Sequence, residues 1–218
     1  MSTIRLIDDK CFICGEINTY KVIGSTNSFG SPDLDLRPPE MERSTMGLWI
    51  RECPVCGYIS SRVSNPSTIR KEWLHTEKYL TCNGINFASD LAKGFYKYYL
   101  ISTEDKEVEE AFFALLHAAW ACDDEGDTVN AKICRELAVP LAIEIDKESN
   151  DNTENSPVIR LIKADIMRRA GQYDEMIEEY SNITYEDEIM CKVLAFEIEK
   201  AKLKDDRCYR VSDAVDEE

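Results

Sequence analysis

An α+β fold, with a small β-rich domain ahead of an all-α domain, is predicted on three observations. Two Cys-x2-Cys-Gly stretches run from Cys11 to Gly15 and from Cys53 to Gly57, with 38 residues between Cys14 and Cys53. Apolar residues follow the period of two of a strand up to about residue 64, and a helical period from residue 65 onward. The net charge of −16 is carried by the helical part: residues 1–75 hold nine Lys/Arg and nine Asp/Glu, residues 76–218 hold 17 and 33. The expected organisation is a β-rich domain over 1–64, a helical domain over 65–207 and an acidic tail over 208–218.

The cysteine pairs read as the two halves of one tetrahedral zinc site. Cys-x2-Cys lets two thiolates of one tight turn reach the same ion, and the glycine after each second cysteine suits a backbone that needs positive φ. A thioredoxin-like dithiol would open a helix. Here Thr19, Tyr20, Val22 and Ile23 follow the first pair and Tyr58 and Ile59 the second, a strand pattern. Nine cysteines is an odd number, and the N-terminus carries no signal-peptide h-region, so disulfides are not implied and a cytoplasmic protein is expected. Four thiolates, from Cys11, Cys14, Cys53 and Cys56, close the coordination sphere. One structural Zn2+ per chain is the expected cofactor, supplying folding energy rather than chemistry.

In chain order, residues 4–23 read as strand, knuckle, strand, and 24–32 as a loop rich in turn formers. Asp33 to Pro39 alternates charged and apolar residues until two prolines stop regular pairing. Residues 46–52 read as the strand entering the second knuckle and 58–63 as the strand leaving it. Asn65-Pro66 is a helix start, with Ile69, Trp73 and Leu80 on one face. A second helix is expected over 87–100, where Gly94 marks a close helix crossing. Thr103 would cap a third over 104–124, ended by Glu125-Gly126-Asp127. A fourth covers 128–147 with a kink at Pro140, a polar linker covers 148–155, and Ser156-Pro157 restarts helix. A last helix over 186–204 presents Ile189, Val193, Phe196 and Leu203, and Ser212 to Glu218 reads as frayed.

Within residues 157–183, Ala164, Met167, Gly171, Tyr173, Met176, Ile177, Tyr180 and Ile183 fall where a tetratricopeptide hairpin places its small residue, turn glycine and large residues. Ala119, Cys122, Gly126, Ala131, Arg135 and Ala138 form a fainter copy, with the turn glycines 45 residues apart. The helical domain is therefore read as tetratricopeptide-like. The chain also resembles a family of uncharacterised bacterial and archaeal proteins in which two Cys-x-x-Cys-Gly knuckles flank a Ser-x-Asp-Leu-Asp-x-Arg-Pro segment ahead of a tetratricopeptide-like region. Cys11, Cys14, Ser31, Asp33, Leu34, Asp35, Arg37, Pro38, Cys53, Pro54, Cys56, Gly57 and Tyr58, with Gly171 and Tyr173, carry the resemblance. It implies a zinc ribbon and helical repeats, and no activity.

Outside the cysteines, the Asp33 to Arg43 stretch is the candidate site. Asp33 and Asp35 could take a cation or a basic group and Arg37 or Arg43 a carboxylate or phosphate, or else these charges dock the zinc module onto the helices. His75 and His117 lack ligand-spaced neighbours. Cys82, Cys122, Cys134 and Cys191 read as buried apolar thiols, and Cys208 as exposed. No glycine-rich phosphate loop, Gly-x-Ser-x-Gly elbow or His-Glu-x-x-His motif is present, so no catalytic constellation can be assembled. No apolar run is long enough for a bilayer, and the acidic helical part opposes nucleic acid. The expected function is a zinc-stabilised protein- or peptide-binding adaptor, with homo-oligomerisation open. The alternatives are a nucleic-acid-binding ribbon using Arg37, Arg43, Arg51, Arg62 and Arg70, and a metal-assisted enzyme built on Asp33 and Asp35.

Overall fold

A computed structural model describes residues 2–148 and 155–215. Strand β1 (Thr3–Lys10) pairs antiparallel with β2 (Ile17–Ser25), and β3 (Arg51–Glu52) with β4 (Ile59–Ser60), as two separate two-stranded sheets. The helices are α1 (Glu77–Leu80), α2 (Asp90–Asp105), α3 (Val108–Asp124), α4 (Thr128–Glu148), α5 (Asn155–Arg169), α6 (Tyr173–Tyr180), α7 (Glu188–Lys202) and α8 (Val211–Val215). Two compact units result: Met1–Ser28 with Glu40–Ala131, and Phe29–Pro39 with Lys132–Glu218. The change of period near residue 65 falls inside the first.

In the first unit both knuckles are hairpin tips, since the last β1–β2 pair is Lys10 with Ile17 and the last β3–β4 pair is Glu52 with Ile59. Strand structure around the second knuckle is shorter than the periodicity predicts. Residues Arg43–Leu48 form 3-10 turns instead, because Thr45 closes a side-chain bond onto the Glu42 carbonyl and receives the Trp49 indole N–H. The helix expected from Asn65 is also replaced. The Asn65 amide donates to Ser60 and Ser61. The Asp105 carboxylate takes the Thr68 N–H and the Ser67 and Thr68 hydroxyls, so a side chain satisfies groups that a helix would have used. Instead, 3-10 stretches form over Lys71–His75 and Thr81–Asn83 on either side of the single turn of α1, and Leu80 is exposed.

Ser89 caps α2 by accepting from the Leu91 and Ala92 amides. The helix runs on to Asp105, five residues past its expected end, and stops at Lys106, whose φ of +63° closes a left-handed C-cap. Thr103 therefore lies inside the last turn of α2, its hydroxyl bonded to the Tyr99 carbonyl, and does not begin α3. Helices α2 and α3 pack along each other through an α3 face that includes Ala111, Ala114, Ala118 and Ala121. Gly94 does mark a close approach, but to the ribbon rather than to a helix: a Cβ there would lie 3.1 Å from Ile50 Cδ1 and 3.4 Å from Ile59 Cδ1. The cysteine sulfurs, Tyr58, Ile59, Val63, Tyr98 and Ile101 belong to one core.

The second unit packs α5, α6, α7 and α8 around Leu161, Ala164, Met167, Met176, Tyr180, Val193 and Phe196. Gly171, with φ of +78°, turns α5 into α6. Asp187 caps α7 through the Met190 amide, and α7 leaves Ile189 and Leu203 exposed, although both fall on the expected stripe. Helix α4 continues unbroken through Pro140. Of the expected polar linker, residues 149–154 lie outside the described residues, as do residues 216–218 of the acidic tail. The rest of that tail is held, not frayed. Val211 N–H donates to the Pro32 carbonyl, Ser212 N–H to Ser31 Oγ, and Leu34 N–H to the Tyr209 carbonyl.

A buried charge network crosses this unit. The fully buried Arg168 donates from Nη2 to Asp165 at 2.7 Å, from Nε to Glu197, and from Nη1 to the Asp205 and Arg207 carbonyls at 2.6 and 2.9 Å. Burial, and then the neighbouring Asp165, push the Glu197 carboxyl above the usual carboxylate range, with Arg168 acting the other way.

Two stability changes are expected in urea denaturation. Gly94→Val should cost about 1–3 kcal/mol, because its methyl groups overfill the contact with Ile50 and Ile59. Arg168→Met should cost about 3–5 kcal/mol, because it leaves two buried carboxylates without their cation.

Candidate metal centre

Each knuckle is built by the same two backbone bonds. Cys11 N–H donates to the Glu16 carbonyl at 2.8 Å and Gly15 N–H to the Cys11 carbonyl at 2.9 Å. Cys53 N–H likewise donates to Tyr58 at 2.8 Å, and Gly57 N–H to Cys53 at 2.9 Å. Gly15 and Gly57 adopt φ of +77° and +76°, a conformation that would strain any side chain. Each turn is followed by a strand, β2 or β4, so neither pair opens a helix.

The two turns face each other. Cys11 Sγ stands 3.6 Å from Cys56 Sγ and Cys14 Sγ 3.6 Å from Cys53 Sγ, and all four sulfurs lie within 4.8 Å of one another. A tetrahedron with Zn–S bonds of about 2.3 Å has edges near 3.8 Å. A disulfide would need about 2.05 Å, and all nine cysteines are free. Among the described residues, this is the one group of three or more His, Cys, Asp or Glu side chains placed to share an ion. The donor set, soft and anionic, suits zinc, and the four sulfurs occupy all four positions of a tetrahedral ion.

Three of the sulfurs, those of Cys11, Cys53 and Cys56, belong to buried residues. Burial raises the Cys56 and Cys11 thiol pKa values, so thiolates at this site need a compensating cation. The site is braced from outside. Tyr79 Oη on α1 donates to the Gly57 carbonyl at 2.9 Å, and Phe12 N–H to the Val63 carbonyl at 2.8 Å. Burial lifts the Tyr79 phenol far above its ordinary range, which keeps it a donor.

The Asp33 to Arg43 stretch is divided between the compact units. Asp33, Asp35 and Arg37 lie in the second and are buried; Arg43 begins the 3-10 turns of the first. Asp35 accepts from Arg169 Nη1 at 3.1 Å and from the Arg37 N–H at 3.3 Å, and Leu36 takes φ of +62° to make that turn. A carboxylate engaged in this way is poorly placed to ligate a catalytic ion. His117 is surrounded by the rings of Trp49, Phe95, Phe113 and Trp120, with centroids 4.9 to 6.2 Å away. Cys82, Cys122 and Cys134 are buried, Cys191 is partly buried and Cys208 exposed.

Periodicity does not single out Arg168 and Glu197, which bury their charges. The Asp165-x-x-Arg168 spacing, one helical turn, was the available signal. No helix among the described residues is long and apolar enough to cross a membrane.

The chain matches no protein-family model, no curated protein and no solved structure. The geometry by itself defines a four-cysteine, zinc-ribbon-like site in a chain with a β-rich beginning and a helical remainder.

Purified without added metal, the protein should hold one zinc per chain by native mass spectrometry. Cys53→Ser should hold none and lose near-UV circular dichroism from the first unit, since structural zinc supplies on the order of 10 kcal/mol of folding energy. Retention of a full equivalent by that variant would show that the four sulfurs do not form one site.

Proposed function

We propose that the protein is a zinc-stabilised module that binds a protein or peptide, with the metal in a structural role and the partner surface on tetratricopeptide-like helical hairpins. The observation that carries this reading is the convergence of four cysteine sulfurs: as thiolates they would fill every position of a tetrahedral ion and leave none for water or substrate, which gives the metal a folding role. The α5–α6 hairpin supports it. Ala164, Met167, Met176 and Tyr180 are buried between and behind these helices around the Gly171 turn, as the repeat reading requires. Ile189 and Leu203 then remain as apolar side chains on the α7 side of the same unit. Nine free cysteines fit a reducing compartment such as the cytoplasm.

The nucleic-acid alternative loses one of its cations, because Arg37 is buried. The metal-enzyme alternative loses one of its carboxylates to Arg169.

Selection of a random peptide library on the zinc-loaded chain tests the reading. Enriched peptides are expected to bind the Ile189→Asp, Leu203→Asp double variant about tenfold more weakly, or worse, a loss of roughly 1.4 kcal/mol. Zinc content and thermal midpoint should be unchanged. A selection that enriches nothing, or peptides that bind the variant equally well, would refute this assignment of the partner surface.

A further inference from the structure

The face of the β1–β2 hairpin that carries Ile7, Asp9 and Val22 closes one side of a cavity of about 420 Å³ within the first unit. Trp49, Arg51 and Arg62 line it as well. The volume lies in the range of small-molecule sites. Its lining combines apolar side chains from the strands and Trp49 with three charged ones, Asp9, Arg51 and Arg62.

The charges are arranged unusually for a surface cleft. Arg51 Nε and Nη1 are buried and find no hydrogen-bond acceptor, and Asp9 Oδ2 is buried and finds no donor. Burial and the nearby Arg62 act against the charge on Arg51, and Asp9 acts in its favour. Buried guanidinium N–H groups without acceptors are costly, and an incoming oxyanion would supply acceptors. Two arginines and one aspartate sum to +1. A carboxylate neutralises that charge, whereas a phosphate dianion would overshoot it and face Asp9.

We propose that this cavity binds the carboxylate of an acid with an apolar body, the carboxylate held by Arg51 and Arg62 and the body lying against Ile7, Val22 and Trp49. The planar fork of a guanidinium matches a carboxylate, and Asp9 selects against a second negative charge. The same chemistry is offered by a free aryl-alkanoic acid and by the C-terminus of an apolar peptide. This site is separate from the α7 surface and does not rest on it.

Isothermal titration of the full zinc-loaded chain tests it with 4-phenylbutyrate, with a tetrapeptide ending in Leu-Phe, and with the amides of both. At least one acid should bind once per chain, its amide about tenfold more weakly or worse, and the acid that binds tighter identifies the source. Arg62 is exposed, so Arg62→Gln should fold with its zinc and lose about fivefold or more in acid affinity. Failure of both acids to bind below about 10 mM, amides equal to acids, or an unchanged Arg62→Gln variant would each overturn the proposal. So would inorganic phosphate displacing the acid at equal concentration.

Discussion

Sulfur atoms 3.6 Å apart in a buried site would repel one another as thiolates, and a dication held between them would turn that repulsion into cohesion. The rest of that unit is built to hold the sulfurs there. Two hairpins supply the turns, two glycines supply the positive φ, and each turn closes on itself through the same pair of backbone bonds. Neither two-stranded sheet has a third strand to support it, and such sheets are marginal in water. A metal held by both turns would join them, and α2 completes the arrangement, because Gly94 lets Ile50 and Ile59 come down onto the helix.

The second unit solves the same problem without metal. Arg168 is the cation, and its ligands are two carboxylates and two carbonyls, drawn from α5, α7 and the segment after α7. A guanidinium is a suitable hub because its five donors lie in one plane and remain charged when buried. The second arginine, Arg169, extends the network to Asp35, and through it to the segment between the prolines. Replacing such a network with apolar residues is often neutral for stability, whereas removing one partner is costly, and Arg169 ties the Asp33 to Arg37 turn to α5 through Asp35.

Much of this organisation was legible in the sequence. Cys-x2-Cys-Gly twice over specifies turn shape, ligand type and coordination number together, so the cluster could be read residue by residue. The start of α5, the Gly171 turn into α6 and both ends of α7 were read to within about two residues, because Ser156-Pro157, Gly171 and the apolar spacing of α7 mark them locally. The region 61–83 was not legible in this way. Its apolar spacing suits a helix, but Asp105 satisfies its backbone from almost 40 residues away, and no window of sequence contains that competition. Thr103 failed for the opposite reason: a good capping residue lay inside a helix whose real end was set by Lys106 in a left-handed conformation. The Arg51 cavity was invisible because its parts come from β1, β2 and residues 49 to 62.

Residues 29–39 stand between the two knuckles in the chain, yet they complete the second unit by pairing with residues 209–212, and Ser31 meets Ser212 across 181 positions. During synthesis at about 5–20 residues per second, the earlier segment waits roughly 10–40 s for its partner to be made. Within that interval every residue of the first unit, all four clustered cysteines among them, is made, since the unit ends at Ala131. The second unit can therefore take up its complete set of contacts only after residues 209–212 have been made, because the Leu34 N–H has the Tyr209 carbonyl as its acceptor.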